Sequence, residues 1–125
     1  MTSAVEEIRQ VLQAYFDGLY HCDVEKLGKV FHPRAIYATA DENPPLIRSM
    51  PEYFPVVAAR ASPASRNETR KDFIDAVELV GDNTAMARVR CSIGDRDFVD
   101  VLSLIRENGE WKIIAKVFQI IRNQT

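Results

Sequence analysis

Two cations in extended, otherwise apolar segments are the first candidates for ligand chemistry. Arg90 lies in the run TAMARVRCSI, and Lys116 lies in EWKIIAKVFQII. A cation that alternates with apolar residues can bind a carboxylate or phosphate group, and arginine does so through a bidentate fork. The alternative is that both side chains are solvated charges on the outer surface of a sheet.

Tyr15 and His32 are the candidates for holding or moving a proton. Tyr15 belongs to an apolar helical stripe, where its hydroxyl either donates to a ligand oxygen or is satisfied inside the core. An unperturbed imidazole has a pKa of about 6.5, which suits a general base, so His32 is a candidate for that role. A histidine before a proline at a helix end is also typical of a structural cap, and His32 precedes Pro33. His32 is the one candidate catalytic residue.

Four further residues could complete a binding site or simply support the fold. Tyr37 and Tyr53 are candidates for the mouth of a cavity, or for ordinary aromatic packing. Ser103 is a candidate ligand contact or a small polar group in the core. Asp100 stands alone among apolar residues. Because a buried carboxylate without a partner is costly, we expect Asp100 to pair with a partner chain at an interface.

Length and charge limit what the chain can be. Its 125 residues, 46% of them hydrophobic, fit a single domain over 1–125 that needs neither metal nor disulfide to fold. The net charge is −2 and no segment collects the basic residues, so nucleic acid is not predicted as a partner. No apolar stretch approaches the length of a membrane span.

The cysteines indicate a reducing compartment. Cys22 and Cys91 lie far apart in the sequence, with none of the cysteine or histidine spacings that bind zinc. We therefore predict free thiols, a cytoplasmic location, and neither a metal nor a cofactor. The N-terminal segment MTSAVEEIRQ is polar, which is unlike a secretory signal.

Three helices are predicted in the first half of the chain. The pattern Ser3-Ala4-Val5-Glu6 is a capping box and starts a helix whose apolar stripe runs to about Tyr20. Asp23 caps a second, shorter helix that His32-Pro33 ends. A short strand over 35–39 and then a loop over 41–48 are expected next. The pattern Ser49-Met50-Pro51-Glu52 is a second capping box and starts a third helix that spans roughly 50–61.

The second half predicts a strand followed by an antiparallel meander. The first strand covers roughly 68–80, and the meander consists of TAMARVRCSI, FVDVLSLIRE and EWKIIAKVFQII. Asn108-Gly109 supplies the positive φ angles of a two-residue hairpin turn, so Glu107 should face Glu110. Residues whose numbers sum to 217 are then opposite one another.

This register gives the last three strands two different faces. One face is almost wholly apolar and includes Leu104 and Trp111. The other mixes large apolar residues with cations and a hydroxyl, among them Arg90, Ser103, Lys116 and Phe118. We expect helices to cover one face and a second subunit to cover the other. A β-bulge in these strands would invert part of the assignment.

Four segments carry a resemblance that covers nearly the whole chain: AYFDGLYHCDVEKL, VFHPRA, AARASPAS and FVDVLSLIRENGEWKIIAKVF. They resemble the nuclear transport factor 2-like superfamily and, within it, the SnoaL-like or "putative lumazine-binding" group. The resemblance implies a cone-shaped α+β barrel, with three N-terminal helices packed on a curved antiparallel sheet of four to six strands. It also implies that the mixed face, with Arg90, Lys116 and Phe118, looks into a cavity. The apolar face would then meet a second protomer, in a homodimer through the convex side of the sheet.

Enzymes of the superfamily allow a comparison at three positions. Ketosteroid isomerases place a hydrogen-bonding tyrosine on the first helix, where this chain has Tyr15. Their catalytic aspartate corresponds to Ala38-Thr39 here, and their second acidic donor corresponds to Ser103. Two of the three roles are therefore missing or altered. SnoaL-like polyketide cyclases carry an acidic residue near the position of Lys116.

Three functions remain open on the sequence. The first is a homodimeric domain whose cavity binds a small, partly apolar and anionic ligand. The second is a cofactor-independent isomerase or dehydratase, in which Tyr15 orients the substrate and His32 is the base. The third is an adaptor that uses the sheet only for association and has a filled cone.

Overall fold

The computed structural model describes residues 3–122, and of Arg122 only the backbone. The helices are α1 (Ala4–His21), α2 (Val24–Val30) and α3 (Met50–Ala58). The strands are β1 (Phe31–Thr39), β2 (Leu46–Ser49), β3 (Phe73–Leu79), β4 (Thr84–Ile93), β5 (Arg96–Glu107) and β6 (Glu110–Arg122), and a single 3-10 turn covers Ala64–Arg66. One sheet contains all six strands in the order β2-β1-β6-β5-β4-β3.

Each helix begins at the residue that its capping pattern predicts. The Ser3 hydroxyl accepts a hydrogen bond from the backbone N–H of Glu6, and the Asp23 carboxylate caps α2 in the same way. Ser49 and Glu52 form a complete capping box at the start of α3. These contacts satisfy N–H groups that the first helical turn leaves without partners. The predicted starts of the helices are therefore confirmed.

The segment between α2 and α3 differs from its prediction. Strand β1 begins directly after α2, and its ladder with β6 is irregular between Phe31 and Ile36. Pro33 lies inside this irregular stretch, where its missing N–H breaks no regular ladder. Residues 41–48 were expected to form a loop, but Leu46–Ser49 pair with the end of β1 as an additional antiparallel strand.

The helices pack on one face of a mixed, open sheet, and the predicted cone-shaped α+β fold is confirmed. The expectation of an antiparallel sheet needs one correction, because β1 runs parallel to β6. The close approach of α1 and α2 depends on Gly18, where an added Cβ would lie 2.7 Å from Leu27 Cδ2. No helix within residues 3–122 is long and apolar enough to span a bilayer.

A β-bulge in β6 determines which side chains of that strand point inward. Asn108 and Gly109 adopt the predicted positive φ angles, 55° and 78°, and Glu107 pairs with Glu110. The pairing in which residue numbers sum to 217 continues only as far as Leu104 and Ile113. The next pair is Ser103 with Ala115, where the predicted partner of Ser103 was Ile114. The extra residue, Ile114, has no partner on β5. Beyond it the even-numbered residues of β6 face inward.

The two faces of the sheet are covered in the opposite way from the prediction. Leu104 and Trp111 lie in the core with the apolar stripe of α1, so the wholly apolar face meets the helices rather than a second subunit. This arrangement is the simpler one physically, because the apolar helical stripe and the apolar sheet face bury each other. Most of the mixed face is the outer surface of the sheet. Lys116 and Phe118 point inward only because they follow the bulge.

Candidate functional site

A cavity of about 140 Å³ opens between the inner face of the sheet, β2 and α3. Its aromatic walls are Tyr37, Tyr53, Phe98 and Phe118. The charged groups that line it are Arg48, Arg60, Arg96, Lys116 and Glu42. The cavity is therefore apolar in its walls and positively charged in its polar lining, which is the composition of a site for a small anionic compound.

Lys116 is the buried cation of this cavity, with only 5% of its surface exposed. Its Nζ lies between 5.2 and 5.9 Å from the ring centroids of Tyr15, Tyr37, Tyr53 and Phe118. Cation–π attraction stabilises an ammonium group in such surroundings. Among residues 3–122, Nζ forms an ion pair with Asp100 at 3.9 Å but donates no hydrogen bond. Donors of the ammonium group are therefore free for a ligand oxygen.

Asp100 is fully buried behind Lys116 and is held by α1. Its Oδ2 accepts a hydrogen bond of 2.5 Å from the Tyr15 hydroxyl and faces Lys116 Nζ. Its Oδ1 is buried without a hydrogen-bond partner in the described part of the chain. Asp100 thus finds its partners inside its own core, and the expected pairing with another chain is wrong. Because β5 and α1 both bury apolar faces here, the carboxylate lies beside the tyrosine without leaving the subunit.

Burial and the carboxylate together set the charge state of the site. Burial alone lowers the Lys116 pKa, but Asp100 opposes this effect and the pKa is raised, so the ammonium group persists at neutral pH. Burial, with the neighbouring Asp100 charge, raises the pKa of Tyr15 well above its usual range. Burial likewise raises the pKa of Cys91, which is an un-ionised thiol rather than a nucleophile.

The aromatic residues form a continuous wall beside Lys116. Tyr37 and Tyr53 are stacked with their centroids 4.1 Å apart, and Tyr37 also lies 4.7 Å from Phe118. Phe98 extends the wall at 5.9 Å from Phe118. Of the residues that the sequence singled out, Tyr37, Tyr53, Lys116 and Phe118 line the cavity. Tyr15 contacts Lys116 and Asp100 but does not itself line the cavity.

Two other predicted ligand contacts, Arg90 and Ser103, lie on the outer face of the sheet, and their predicted position in the cavity is wrong. The Arg90 guanidinium is 49% exposed, forms a bidentate ion pair with Asp75 and lies over the Phe73 ring. Ser103 is exposed. Strands β4 and β5 pair without a bulge, so nothing turns these two side chains toward the interior.

His32 does not line the cavity. Its Nδ1 accepts a hydrogen bond of 3.0 Å from the backbone N–H of Arg34, and its Nε2 lies 3.4 Å from a carboxylate oxygen of Glu107. These contacts are those of the structural alternative, in which the imidazole fixes the start of β1.

The cavity also contains residues that the sequence did not single out. Arg48 lies on β2, Arg60 follows α3, and Arg96 begins β5. The sequence predicts Arg48 in a loop, Arg60 near the end of the third helix and Arg96 in a turn, where charged residues are ordinary. The short alternation in Leu46–Ser49 was the one available signal, and four residues beside two prolines did not distinguish a strand from a loop.

A family comparison identifies the chain. The sequence model of a family described as "putative lumazine-binding" matches residues 3–119. The chain belongs to this family. No protein of curated function matches it.

Solved structures show the same fold at low sequence identity. A nuclear transport factor 2-like protein of unknown function from Silicibacter pomeroyi is 21% identical, with a TM-score of 0.85 over 97% of this chain and 100% of that one. One from Shewanella baltica is 22% identical, with a TM-score of 0.83 over 98% and 100%. A ketosteroid isomerase-like protein from Erwinia carotovora is 11% identical, with a TM-score of 0.76 over 98% and 100%. This putative lumazine-binding family member therefore has the predicted nuclear transport factor 2-like fold.

Proposed function

We propose that this protein binds a small, partly apolar compound through an anionic oxygen of the ligand that contacts Lys116. The observation that carries the proposal is the buried ammonium group, which is charged at neutral pH and has unused donors beside the cavity. A ligand oxygen would complete its hydrogen bonds. The stacked rings of Tyr37 and Tyr53 would contact the apolar part of the compound.

The size of the cavity limits the ligand. A volume of about 140 Å³ is close to that of an engineered cavity of about 150 Å³ that binds benzene. One six-membered ring or a short chain would fill the enclosed space. A bicyclic compound of the kind that the family description names would extend into the open mouth.

Asp100 supports this binding without contacting the ligand. The carboxylate keeps Lys116 protonated, and the hydrogen bond from Tyr15 keeps the carboxylate in place. Replacement of Lys116 alone would leave a buried, unpaired anion, which costs about 3–5 kcal/mol of stability. A test of binding must therefore remove the charges of Lys116 and Asp100 together.

The experiment is calorimetric titration with benzoate as the probe. We expect the wild-type protein to bind benzoate and the double variant K116M/D100N to bind it at least about tenfold more weakly, because one charge-assisted contact is lost. R88Q is the matched control, since Arg88 is an exposed strand cation away from the cavity. Unchanged affinity in K116M/D100N, or no benzoate binding by the wild-type protein, would contradict the proposal.

The two alternative functions have less support. For an isomerase or dehydratase, His32 lies away from the cavity and the Tyr15 hydroxyl is engaged by Asp100. At the position of the isomerase base, Thr39 donates its hydroxyl to the Phe118 carbonyl. For an adaptor, the filled cone that this function predicts is at odds with the open cavity.

We also propose that a second copy of the chain covers the outer face of the sheet. Val101 and Val117 pair across β5 and β6 on this face, and they are 47% and 52% exposed. Such a cross-strand apolar pair at the sheet centre gains free energy when it is covered. Sedimentation should show a dimer that V101K/V117K dissociates, and a control variant, V80K, should stay dimeric. A wild-type monomer would contradict this proposal.

The cytoplasmic location stays a prediction, consistent with the free thiols of Cys22 and Cys91.

A further inference from the structure

Three arginines from separate elements line the same cavity as Lys116. Arg48 lies on β2, Arg60 follows α3, and Arg96 begins β5. All three are half-buried, whereas Lys116 is buried, so the arginines lie nearer the solvent than the ammonium group does. The cavity therefore has a cationic floor and a separate cationic mouth.

Within residues 3–122, acidic side chains do not balance the charge at the mouth. Arg96 lies 3.4 Å from Glu42. Within the described ranges, Arg48 and Arg60 form no ion pair with a carboxylate, and Glu42 is the one acidic side chain that lines the cavity. Since Asp100 already balances Lys116, the described residues leave two positive charges of the site uncompensated. A cavity mouth with an excess of positive charge attracts anionic groups.

We infer that the ligand carries a dianionic group, of the phosphate monoester kind, at the end opposite the oxygen that contacts Lys116. The inference rests on the proposed function and specifies its ligand class. Two guanidinium groups match a phosphoryl group because each can donate a pair of parallel hydrogen bonds. The stacked rings of Tyr37 and Tyr53 line the same cavity as Lys116 and the arginines, so the compound has a ring or a short unsaturated chain between its anionic groups.

The charge pattern distinguishes this class from a simple carboxylate. A monoanion can contact either Lys116 at the floor or the arginines at the mouth, and it makes no contact with the other group. A ring compound with a carboxylate at one end and a phosphoryl group at the other satisfies both. Affinity should therefore rise when a phosphoryl group is added to a ligand whose carboxylate already contacts Lys116.

The test compares two compounds that differ only in this group. The probes are 4-hydroxybenzoate and 4-carboxyphenyl phosphate, measured by calorimetric titration. We expect the phosphate ester to bind the wild-type protein at least about tenfold more tightly, the factor that corresponds to 1.4 kcal/mol. In R48Q/R60Q this advantage should disappear, so that the two probes bind this variant with equal affinity. R88Q/R106Q removes two arginines that do not line the cavity and should keep the advantage.

The outcomes separate the inference from the function on which it rests. Equal affinity of the two probes for the wild-type protein, with 4-hydroxybenzoate bound, would overturn the dianion site and leave the Lys116 site standing. An advantage that survives in R48Q/R60Q, or that R88Q/R106Q also removes, would overturn the dianion site as well. Binding of neither probe would overturn both proposals.

Discussion

The Tyr15 hydroxyl donates a hydrogen bond of 2.5 Å to Asp100 Oδ2 inside the core. This contact joins α1 to β5 across 85 positions of sequence. Through the ion pair of Asp100 with Lys116 at 3.9 Å, it also fixes the carboxylate that holds the ammonium group charged. One hydrogen bond thus links the packing of the first helix to the electrostatics of the cavity.

Replacement of Tyr15 by phenylalanine should destabilise the protein. Y15F removes the hydrogen bond and leaves Asp100 Oδ2 without its donor, and a hydrogen bond to a charged group contributes about 1.5–3 kcal/mol. Urea denaturation measures the loss. Y53F is the matched control, because the Tyr53 ring is buried in the same core and its hydroxyl forms no hydrogen bond within residues 3–122. Equal losses for Y15F and Y53F would show that the Tyr15–Asp100 contact adds no stability.

Stability should fall at alkaline pH. The pKa values of Tyr15, Tyr53, Cys91 and Lys116 are all raised in the folded chain. The folded state therefore holds these protons to higher pH than the unfolded state does. Since stability decreases with pH wherever the folded state binds more protons, the free energy of unfolding should be flat near neutrality and decline above about pH 9.

The measurement is urea denaturation at about pH 7.5, 9 and 10.5. C91A removes one of the four groups and should show a shallower decline, whatever its stability at neutral pH. A free energy of unfolding that stays constant to about pH 10.5, or that increases, would contradict the assignment of raised pKa values.

The role of Asp100 gives ligand binding a predicted pH dependence. In the wild-type protein Asp100 raises the Lys116 pKa, so benzoate affinity should be constant between about pH 6 and 9. D100N removes the carboxylate charge, so the effect of burial is no longer offset and the pKa of Lys116 is lowered. Benzoate affinity of D100N should therefore fall as pH rises through this range, and calorimetric titration at several pH values measures it. A D100N profile as flat as that of the wild-type protein would show that Asp100 does not control the charge.

The bulge at Ile114 can be tested through thiol accessibility. In a background that lacks Cys22 and Cys91 and carries V101K to oppose association through the outer face, V117C should react with a maleimide while F118C stays unlabelled in the folded protein. Without a bulge, the regular pairing from the hairpin turn would put residue 117 inside and residue 118 outside, and the labelling pattern would reverse. Labelling of both variants after denaturation in urea confirms that each thiol is intact.

The parts of the fold that short-range patterns encode could be predicted from the sequence. Ser3, Asp23 and Ser49 mark the helix starts because each cap involves residues three positions apart. Asn108-Gly109 fixes its hairpin for the same reason, since the turn requires positive φ at both residues. These features depend on neighbours in sequence and not on the rest of the chain.

The side-chain directions beyond the hairpin could not be predicted in this way. Ile113 and Ile114 are identical in type, so the sequence does not show that one of them bulges and reverses the following residues. Lys116 therefore lines the cavity for a different reason than the prediction gave, and Arg90 lies outside although both were placed on one face. Arg48 reaches the cavity on a four-residue strand whose partner, β1, is set by tertiary pairing.

A crystal structure of the benzoate complex tests the central claim most directly. The account predicts a carboxylate oxygen of benzoate about 2.7–2.9 Å from Lys116 Nζ, with the ring against Tyr37 and Tyr53. Benzoate bound with its carboxylate away from Lys116, or bound outside the cavity, would contradict the assignment of Lys116 as the anchor of the ligand.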